Sequence, residues 1–263
     1  MVSVFANNMK VYMRPLARWT FGKVKDPGPG EETLLACVKR FKVVYPEFDC
    51  IICYNNVSNR QLAILKKLNV DLHKQTETEL EYPLESVNLP EGWKGAMPGW
   101  GFKLCPPRLR LESHELWIDN DVVIRERLRA IDRWLKSDGT LIASGHNNNR
   151  KIYGKFDHLV PSNVVCCAGL FGLPPGFDFE SRIVQKCHSV LGGKPLGYYD
   201  EQGLVSAIVI EHNPHIVIPA NQFLNVKEYV KKPFPSALHF IGANRFHSHR
   251  EWQDYRDQHV TSL

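Results

Sequence analysis

Short apolar segments alternate with segments of helical periodicity along this chain, and that alternation limits the folds open to it. Residues 1–6 and 48–54 are apolar runs, and between them Leu34, Leu35 and Val38 recur at the spacing of one helical face. Strands that alternate with helices are typical of a parallel sheet covered by helices on both faces. We therefore expect an α/β fold with a mostly parallel central sheet.

The same alternation continues through the rest of the sequence. A capping box at Ser58 and Gln61 predicts a helix that runs to about Asn69. Further helices are predicted at 128–139, 178–192 and 201–211. Further strands are predicted at 70–72, 115–118, 140–143, 164–173, 215–219 and 237–242. No linker interrupts the pattern, so we expect a single domain over residues 1–263.

The composition narrows the class of protein and its partners. With 263 residues, of which 43% are hydrophobic and 23% charged, the chain has the balance of a globular protein. Its net charge of +5 favours an anionic partner, and nucleotide phosphates, a lipid-linked acceptor and nucleic acid all fit. Seven cysteines and an N-terminus without the pattern of a secretion signal predict a reduced, cytoplasmic location. No apolar run is long enough for a transmembrane segment.

Two carboxylates directly follow the predicted strand at 115–118. Alternate side chains of an extended segment share a face, so Asp119 and Asp121 are expected to point one way and Asn120 the other. Two adjacent carboxylates are what a hard divalent cation needs when substrate phosphates complete its shell. The same triplet is also typical of a surface turn, so the motif alone leaves both interpretations open.

Three later segments resemble motifs of one enzyme family and occur in the family's order. They are Cys167-Ala168-Gly169, Glu201-Gln202-Gly203-Leu204, and His239-Phe240-Ile241-Gly242 followed by Arg245. With Asp119-Asn120-Asp121 they resemble the DxD, Asn-Ala-Gly, Asp-Gln-Gly-Leu and HxxGxxKPW motifs of retaining GT-A glycosyltransferases. The resemblance is strongest to the glycogenin and lipopolysaccharide galactosyltransferase type, glycosyltransferase family 8. The chain departs from it at Cys167, where Asn is usual, at Arg245, where Lys is usual, and at Phe246-His247, which replace Pro-Trp.

This resemblance implies a GT-A, Rossmann-like fold and a metal-dependent glycosyltransferase. The enzyme would move a hexose from a UDP-sugar to a saccharide, lipid-linked or other hydroxyl acceptor, with retention of configuration. Residues 1–124 would bind the nucleotide sugar, and residues 125–263 would carry the acceptor and catalytic groups. Asp119, Asp121 and His239 would hold Mn²⁺ or Mg²⁺, since a mixed oxygen and nitrogen set suits Mn²⁺ better than Ca²⁺.

The resemblance also suggests roles for the remaining candidate residues. Catalytic groups are expected at Asp200, Glu201 and Gln202. Contacts to the donor are expected from Asn7, Asn8, Lys103, Asn120, Ala168, Gly169, Gly242 and Arg245. Arg245 can form a fork to a diphosphate, and Lys103 lies in a glycine-containing segment that can close over the donor. Asn7 and Asn8 are included because they end the first predicted strand.

Other interpretations of the same residues remain open. His239 is also consistent with a core histidine, and Glu201 and Gln202 with the first turn of a helix. Among enzymes, the alternative is a glycosyltransferase acting on a modified DNA base, which the mild positive charge permits, although nucleic acid is not the favoured partner. Outside that class, the alternatives are a phosphohydrolase that uses two metal ions and a non-catalytic nucleotide-sugar-binding protein.

Overall fold

The described residues form an α/β structure around a seven-stranded sheet. The computed structural model describes residues 14–21, 29–76, 103–104, 106–145, 149–192, 199–226 and 235–240. The strands are β1 (Leu16–Phe21), β2 (Asp49–Tyr54), β3 (Asp71–Lys74), β4 (Glu115–Ile118), β5 (Val122–Ile124), β6 (Thr140–Ser144), β7 (Cys166–Leu173), β8 (His215–Ile218), β9 (Phe223–Val226) and β10 (Ala237–Phe240). The α-helices are α1 (Pro29–Val44), α2 (Asn59–Lys66), α3 (Arg129–Trp134), α4 (Phe179–Leu191) and α5 (Asp200–Glu211), and a 3₁₀ segment spans Arg150–Leu159.

The sheet is mostly parallel, as the sequence predicts. Its strand order is β3-β2-β1-β4-β7-β6-β8, and β7 runs antiparallel to both of its neighbours. A smaller sheet has the order β5-β10-β9. The chain moves outward from β1 through β2 to β3, and then returns to place β4 on the other side of β1. Such a reversal opens a crevice at the carboxyl ends of β1 and β4, where α/β proteins bind ligands.

Helices cover both faces of the sheet, because the strands present apolar side chains in both directions. Leu116 and Ile118 of β4 join one core with α1, α2 and α3. Trp117, between them, joins a second core with α4, α5 and the 3₁₀ segment. Burial on both faces is what the continuous apolar runs of the central strands predict.

The predicted ends of two helices are confirmed by their caps. Ser58 and Gln61 form the full capping box at the start of α2. The side chain of Asp178 accepts a hydrogen bond from the N–H of Ser181 at the start of α4, and Gly192 ends that helix in the left-handed conformation. Both signals are local, which is why they can be read from sequence.

Several elements differ from the sequence expectation. The strands β1, β5 and β9 and the 3₁₀ segment were not predicted. β1 was missed because Arg18 interrupts its apolar pattern, yet Arg18 is buried, 2.9 Å from Glu115 and stacked 3.7 Å from the ring of Trp117. The helix expected at 128–139 ends at Trp134. The N–H of Leu135 still bonds four residues back, to Ile131, but those of Lys136 and Ser137 bond three residues back in tighter turns.

Two further expectations concern the strand predicted at the N-terminus and transmembrane segments. The strand predicted at 1–6 lies outside them. Among the helices of the described part, none has both the length and the apolar character needed to cross a membrane.

Candidate metal centre

The segment from Asp119 to Asp121 leaves β4 in a tight turn that leads directly into β5. The N–H of Asp119 donates to the carbonyl oxygen of Gly169 on β7 at 2.8 Å, and the Asp121 carbonyl oxygen accepts from the N–H of Phe240 on β10 at 3.0 Å. The N–H of Val122 donates to the Asp119 carbonyl oxygen at 3.1 Å and closes the turn. Neighbouring strands therefore fix the backbone of the motif on both sides.

β10 brings His239 to the two carboxylates. His239 pairs with Val122 in antiparallel register. Its Nε2 lies 3.3 Å from Oδ1 of Asp121 and 3.8 Å from Oδ2 of Asp119. One potential ligand atom from each of the three residues lies within 4.8 Å of the others. Two carboxylate oxygens and one imidazole nitrogen at this spacing fit a divalent cation such as Mn²⁺ or Mg²⁺.

The three potential ligands differ in their access to solvent. The side chain of His239 is only 9% exposed, whereas those of Asp119 and Asp121 are 29% and 18% exposed. The carboxylate side of the cluster is therefore the open side. A cation held there would keep coordination positions free for oxygen atoms of a ligand arriving from solvent.

The charges around His239 favour a positive charge at its ring, either a proton or a bound cation. Burial acts to lower the pKa of His239, but the sulfur of Cys167 and the carboxylate of Asp121 outweigh it and hold that pKa well above its ordinary value. The negative potential that favours a proton on the ring also attracts a metal cation. The electrostatics therefore agree with the geometry of the cluster.

Lys103 links the cluster of Asp119, Asp121 and His239 to α5. Its Nζ lies 2.7 Å from Oδ1 of Asp119 and 3.1 Å from Oε1 of Glu201, and it donates to the carbonyl oxygen of Ala168 at 2.6 Å. Burial acts to lower the pKa of Lys103, but the two carboxylates more than offset it, so the pKa is raised. Lys103 is therefore a buried ammonium ion surrounded by protein oxygens, rather than a cation that faces an open crevice.

The three residues predicted at the start of α5 have different surroundings. Glu201 faces Lys103, and its pKa is raised because burial and Asp119 outweigh the effect of the ammonium group. Asp200 accepts from the N–H of Lys155 at 2.8 Å and lies 3.2 Å from that residue's Nζ, on the 3₁₀ segment. Gln202 donates to the carbonyl oxygen of Cys166 at 3.2 Å. Of the three, Glu201 is connected to Asp119 through Lys103.

The Cys167-Ala168-Gly169 segment of β7 lies directly behind the candidate metal centre. The Ala168 and Gly169 carbonyl oxygens accept from Lys103 and from the N–H of Asp119. Gly169 also makes room for the imidazole, since a Cβ at this position would lie 2.6 Å from Cε1 of His239. Cys167 places its Sγ 3.3 Å from Nδ1 of the same ring. The motif therefore supports the backbone of Asp119 and the ring of His239 in the candidate metal centre.

One hydrogen bond to the Asp119–Asp121 turn has no signal in the sequence, and several predicted contacts to the donor lie outside the described residues. The Cys37 thiol of α1 donates to the carbonyl oxygen of Asn120 at 3.3 Å, and burial, followed by the charge of Asp121, raises the Cys37 pKa. An apolar helical position gives no sequence signal for such a bond. The predicted donor-binding residues that lie outside the described residues are Asn7, Asn8, Gly242 and Arg245.

Solved glycosyltransferase structures share this architecture. The galactosyltransferase LgtC, in complex with donor and acceptor sugar analogues, is 10% identical with a TM-score of 0.60, and the match covers 94% of each chain. Mouse xyloside xylosyltransferase 1 is 12% identical with a TM-score of 0.58, over 86% of this chain and 97% of its own. The bifunctional glycosyltransferase WbbM is 12% identical with a TM-score of 0.61, over 90% of this chain and 47% of its own. No family model and no curated protein sequence matches the chain.

The sheet and these likenesses define the class of fold. The chain has the α/β architecture of the GT-A glycosyltransferases, which confirms the predicted fold. Within that class it resembles LgtC, which confirms the predicted resemblance to a galactosyltransferase of this type. At identities of 10–12% the likeness establishes the fold alone, so the activity has to be argued from the site.

Proposed function

We propose that this protein is a metal-dependent glycosyltransferase that moves a hexose from a UDP-sugar to a hydroxyl acceptor. The observation that carries the proposal is the cluster of Asp119, Asp121 and His239 at the carboxyl end of β4. It lies at the reversal of strand order, where a GT-A fold leaves a crevice for a ligand.

The donor set suits the chemistry of a nucleotide-sugar donor. Cleavage of the bond between sugar and phosphate leaves negative charge on the departing nucleoside diphosphate. Mn²⁺ or Mg²⁺ held by Asp119, Asp121 and His239 would neutralise that charge without proton transfer. The exposed side of the two carboxylates faces the solvent from which the donor would arrive.

Lys103 and Glu201 would shape the sugar side of the site. Their ion pair fixes Glu201 beside Asp119, at the first turn of α5. The Oε1 of Glu201 is buried and has no well-aligned hydrogen bond among the described groups, although it lies 3.1 Å from the Lys103 ammonium. A carboxylate held in this way is suited to accept a hydrogen bond from a sugar hydroxyl next to the diphosphate.

We favour retention of the anomeric configuration. An inverting enzyme needs a carboxylate that is free to remove the acceptor's proton. Asp200 is held by the backbone and side chain of Lys155, and Glu201 is held by Lys103, so both candidate bases are engaged. NMR analysis of the product anomer provides the check, and an inverted product would refute retention.

The activity is tested by turnover of UDP-sugars with Mn²⁺, comparing wild type with Asp121→Ala. We expect the substitution to abolish both transfer and the slow hydrolysis of the donor. Asp132→Ala is a matched control, because Asp132 is a carboxylate on α3 that pairs with Arg127 at the surface. Full activity in Asp121→Ala would refute the proposal. Metal-dependent UDP binding without turnover would instead indicate a non-catalytic sugar-nucleotide-binding protein.

We assign residues 1–124 mainly to the donor and residues 125–263 mainly to the acceptor. The metal centre draws on both parts, since Asp119 and Asp121 precede this boundary and His239 follows it. We propose a saccharide or lipid-linked hydroxyl as the acceptor. Assays of labelled donor against acceptors of both kinds provide the test, and transfer to a DNA base alone would contradict the assignment.

A further inference from the structure

Cys167 lies at the motif position where the resembled family has Asn, so a thiol replaces an amide there. Its side chain is buried, and its Sγ lies 3.3 Å from Nδ1 of His239. The other ring nitrogen, Nε2, faces Asp121 and Asp119. The thiol therefore contacts the histidine on the side of the ring away from the metal centre.

We propose that Cys167 is a positioning residue for metal binding, which fixes the orientation and the tautomer of His239. The inference rests on the proposed metal centre. A neutral imidazole carries one proton, so Nε2 offers a lone pair to a cation only when that proton is on Nδ1. A buried Nδ1–H needs an acceptor, and the sulfur of Cys167 lies within its reach.

The surroundings restrict the ring to a few orientations. A Cβ at position 169 would lie 2.9 Å from Nδ1 of His239, so the ring rests directly on the backbone of Gly169. The ring of Phe223 is 5.9 Å away between centroids. Little room remains for rotation, and the contact with Cys167 selects the orientation that turns Nε2 toward the carboxylates.

A thiol can serve this histidine both with and without a metal ion. Its sulfur can accept from Nδ1–H when the ring carries protons on both nitrogens, and it can accept from the same Nδ1–H when Nε2 binds a cation. Alanine offers no acceptor, whereas a serine hydroxyl offers one. Partners that orient a metal-binding histidine typically contribute about 10- to 100-fold in metal affinity.

The test is calorimetric titration of Mn²⁺, without any sugar donor, into wild type, Cys167→Ala, Cys167→Ser and Cys166→Ala. Cys166 is the matched control, since it is the preceding residue of β7, is equally buried and packs into the opposite core. We expect Cys167→Ala to weaken Mn²⁺ binding about 10- to 100-fold. Cys167→Ser should restore most of the affinity, and Cys166→Ala should leave it unchanged.

Either of two titration results would overturn the proposal. One is a Cys167→Ala protein that binds Mn²⁺ as tightly as wild type, and the other is a wild type that binds no divalent cation. Because no sugar is present, an absence of glycosyl transfer would leave a positive titration intact. Failure of this inference and failure of the proposed function are therefore distinguishable.

Two spectra separate positioning from general damage to the structure. In the Mg²⁺-loaded protein, the NMR signal of the His239 Nδ1–H should exchange slowly in wild type and Cys167→Ser, and rapidly in Cys167→Ala. The Co²⁺-loaded protein should show no sulfur-to-cobalt charge-transfer band, because the thiol lies on the far side of the ring. A band that disappears in Cys167→Ser would make the thiol a direct ligand and overturn the positioning role.

Discussion

At the scale of single residues, the site depends on charges that neutralise one another inside the protein. Lys103 is 7% exposed and contacts Asp119 and Glu201, so its ammonium replaces the water that both carboxylates would otherwise bind. A buried charge that loses its partner is costly, whereas an exposed pair contributes little. The stability of the protein should therefore respond unequally to the loss of different lysines.

Lys103→Met tests this dependence. We expect the free energy of unfolding to fall by roughly 3 kcal/mol, at the lower end of the cost of an unpaired buried charge because Asp119 keeps some access to solvent. Lys186→Met is the control, since Nζ of Lys186 contacts Glu211, whose side chain is 51% exposed. That loss should stay below about 1 kcal/mol. Denaturant unfolding measures both, and equal losses would contradict the account.

Two glycines of β7 should have separable effects. A Cβ at Gly169 would meet the ring of His239, whereas a Cβ at Gly172 would lie 2.6 Å from Cζ2 of Trp134 in the core. We expect Gly169→Ala to weaken Mn²⁺ binding by about tenfold or more, because it displaces a metal ligand. Gly172→Ala should instead cost about 1–3 kcal/mol of stability through overpacking and leave metal affinity unchanged. The reverse pattern in titration and unfolding would be inconsistent with this geometry.

At the scale of elements, local signals explain why some helices were predictable. The caps of α2 and α4 follow from a few neighbouring residues. β1 was not predictable, because the burial of Arg18 depends on Glu115 and Trp117, which lie almost a hundred residues further along the chain. The order of the motifs along the sequence is enough to indicate Asp119, Asp121 and His239 as candidate metal ligands. Lys103 pairs with Glu201 and does not face an open crevice. This pairing depends on tertiary contacts, which no local sequence pattern can indicate.

The cap of α4 gives a pH-dependent prediction. Hydrogen bonds from the backbone and side chain of Ser181 lower the pKa of Asp178 below its usual value. The stability that this cap contributes is therefore present above the pKa of the unfolded chain, about 3.9. It is lost as the pH falls through the lower pKa of the folded protein.

Substitution separates the cap from its charge. Asp178→Ala should lower the free energy of unfolding by about 1 kcal/mol at neutral pH. Asp178→Asn should keep most of the cap, since asparagine caps about as well as aspartate, but should lose its part of the acid dependence. Unfolding curves from pH 7 to pH 3 measure both effects. An Asp178→Asn protein with unchanged acid dependence would refute the assignment.

At the scale of the whole molecule, the fold brings together the candidate metal-binding side chains, which are far apart in sequence. The reversal of strand order places the end of β4 in the crevice, and the small sheet then brings β10 beside β5. The carboxylates and the imidazole meet because these two sheets adjoin at the Asp119 to Asp121 turn. The fold, which is shared with solved structures at identities of 10–12%, therefore brings these three side chains of this chain together.

The central claim is that Asp119, Asp121 and His239 hold a divalent cation that binds the diphosphate of a nucleotide sugar. Calorimetric titration of UDP into the protein, with and without Mn²⁺, tests it most directly. The account predicts UDP binding that requires Mn²⁺ in wild type and is lost in Asp121→Ala. UDP binding of equal strength with and without Mn²⁺, or unchanged in Asp121→Ala, would contradict it.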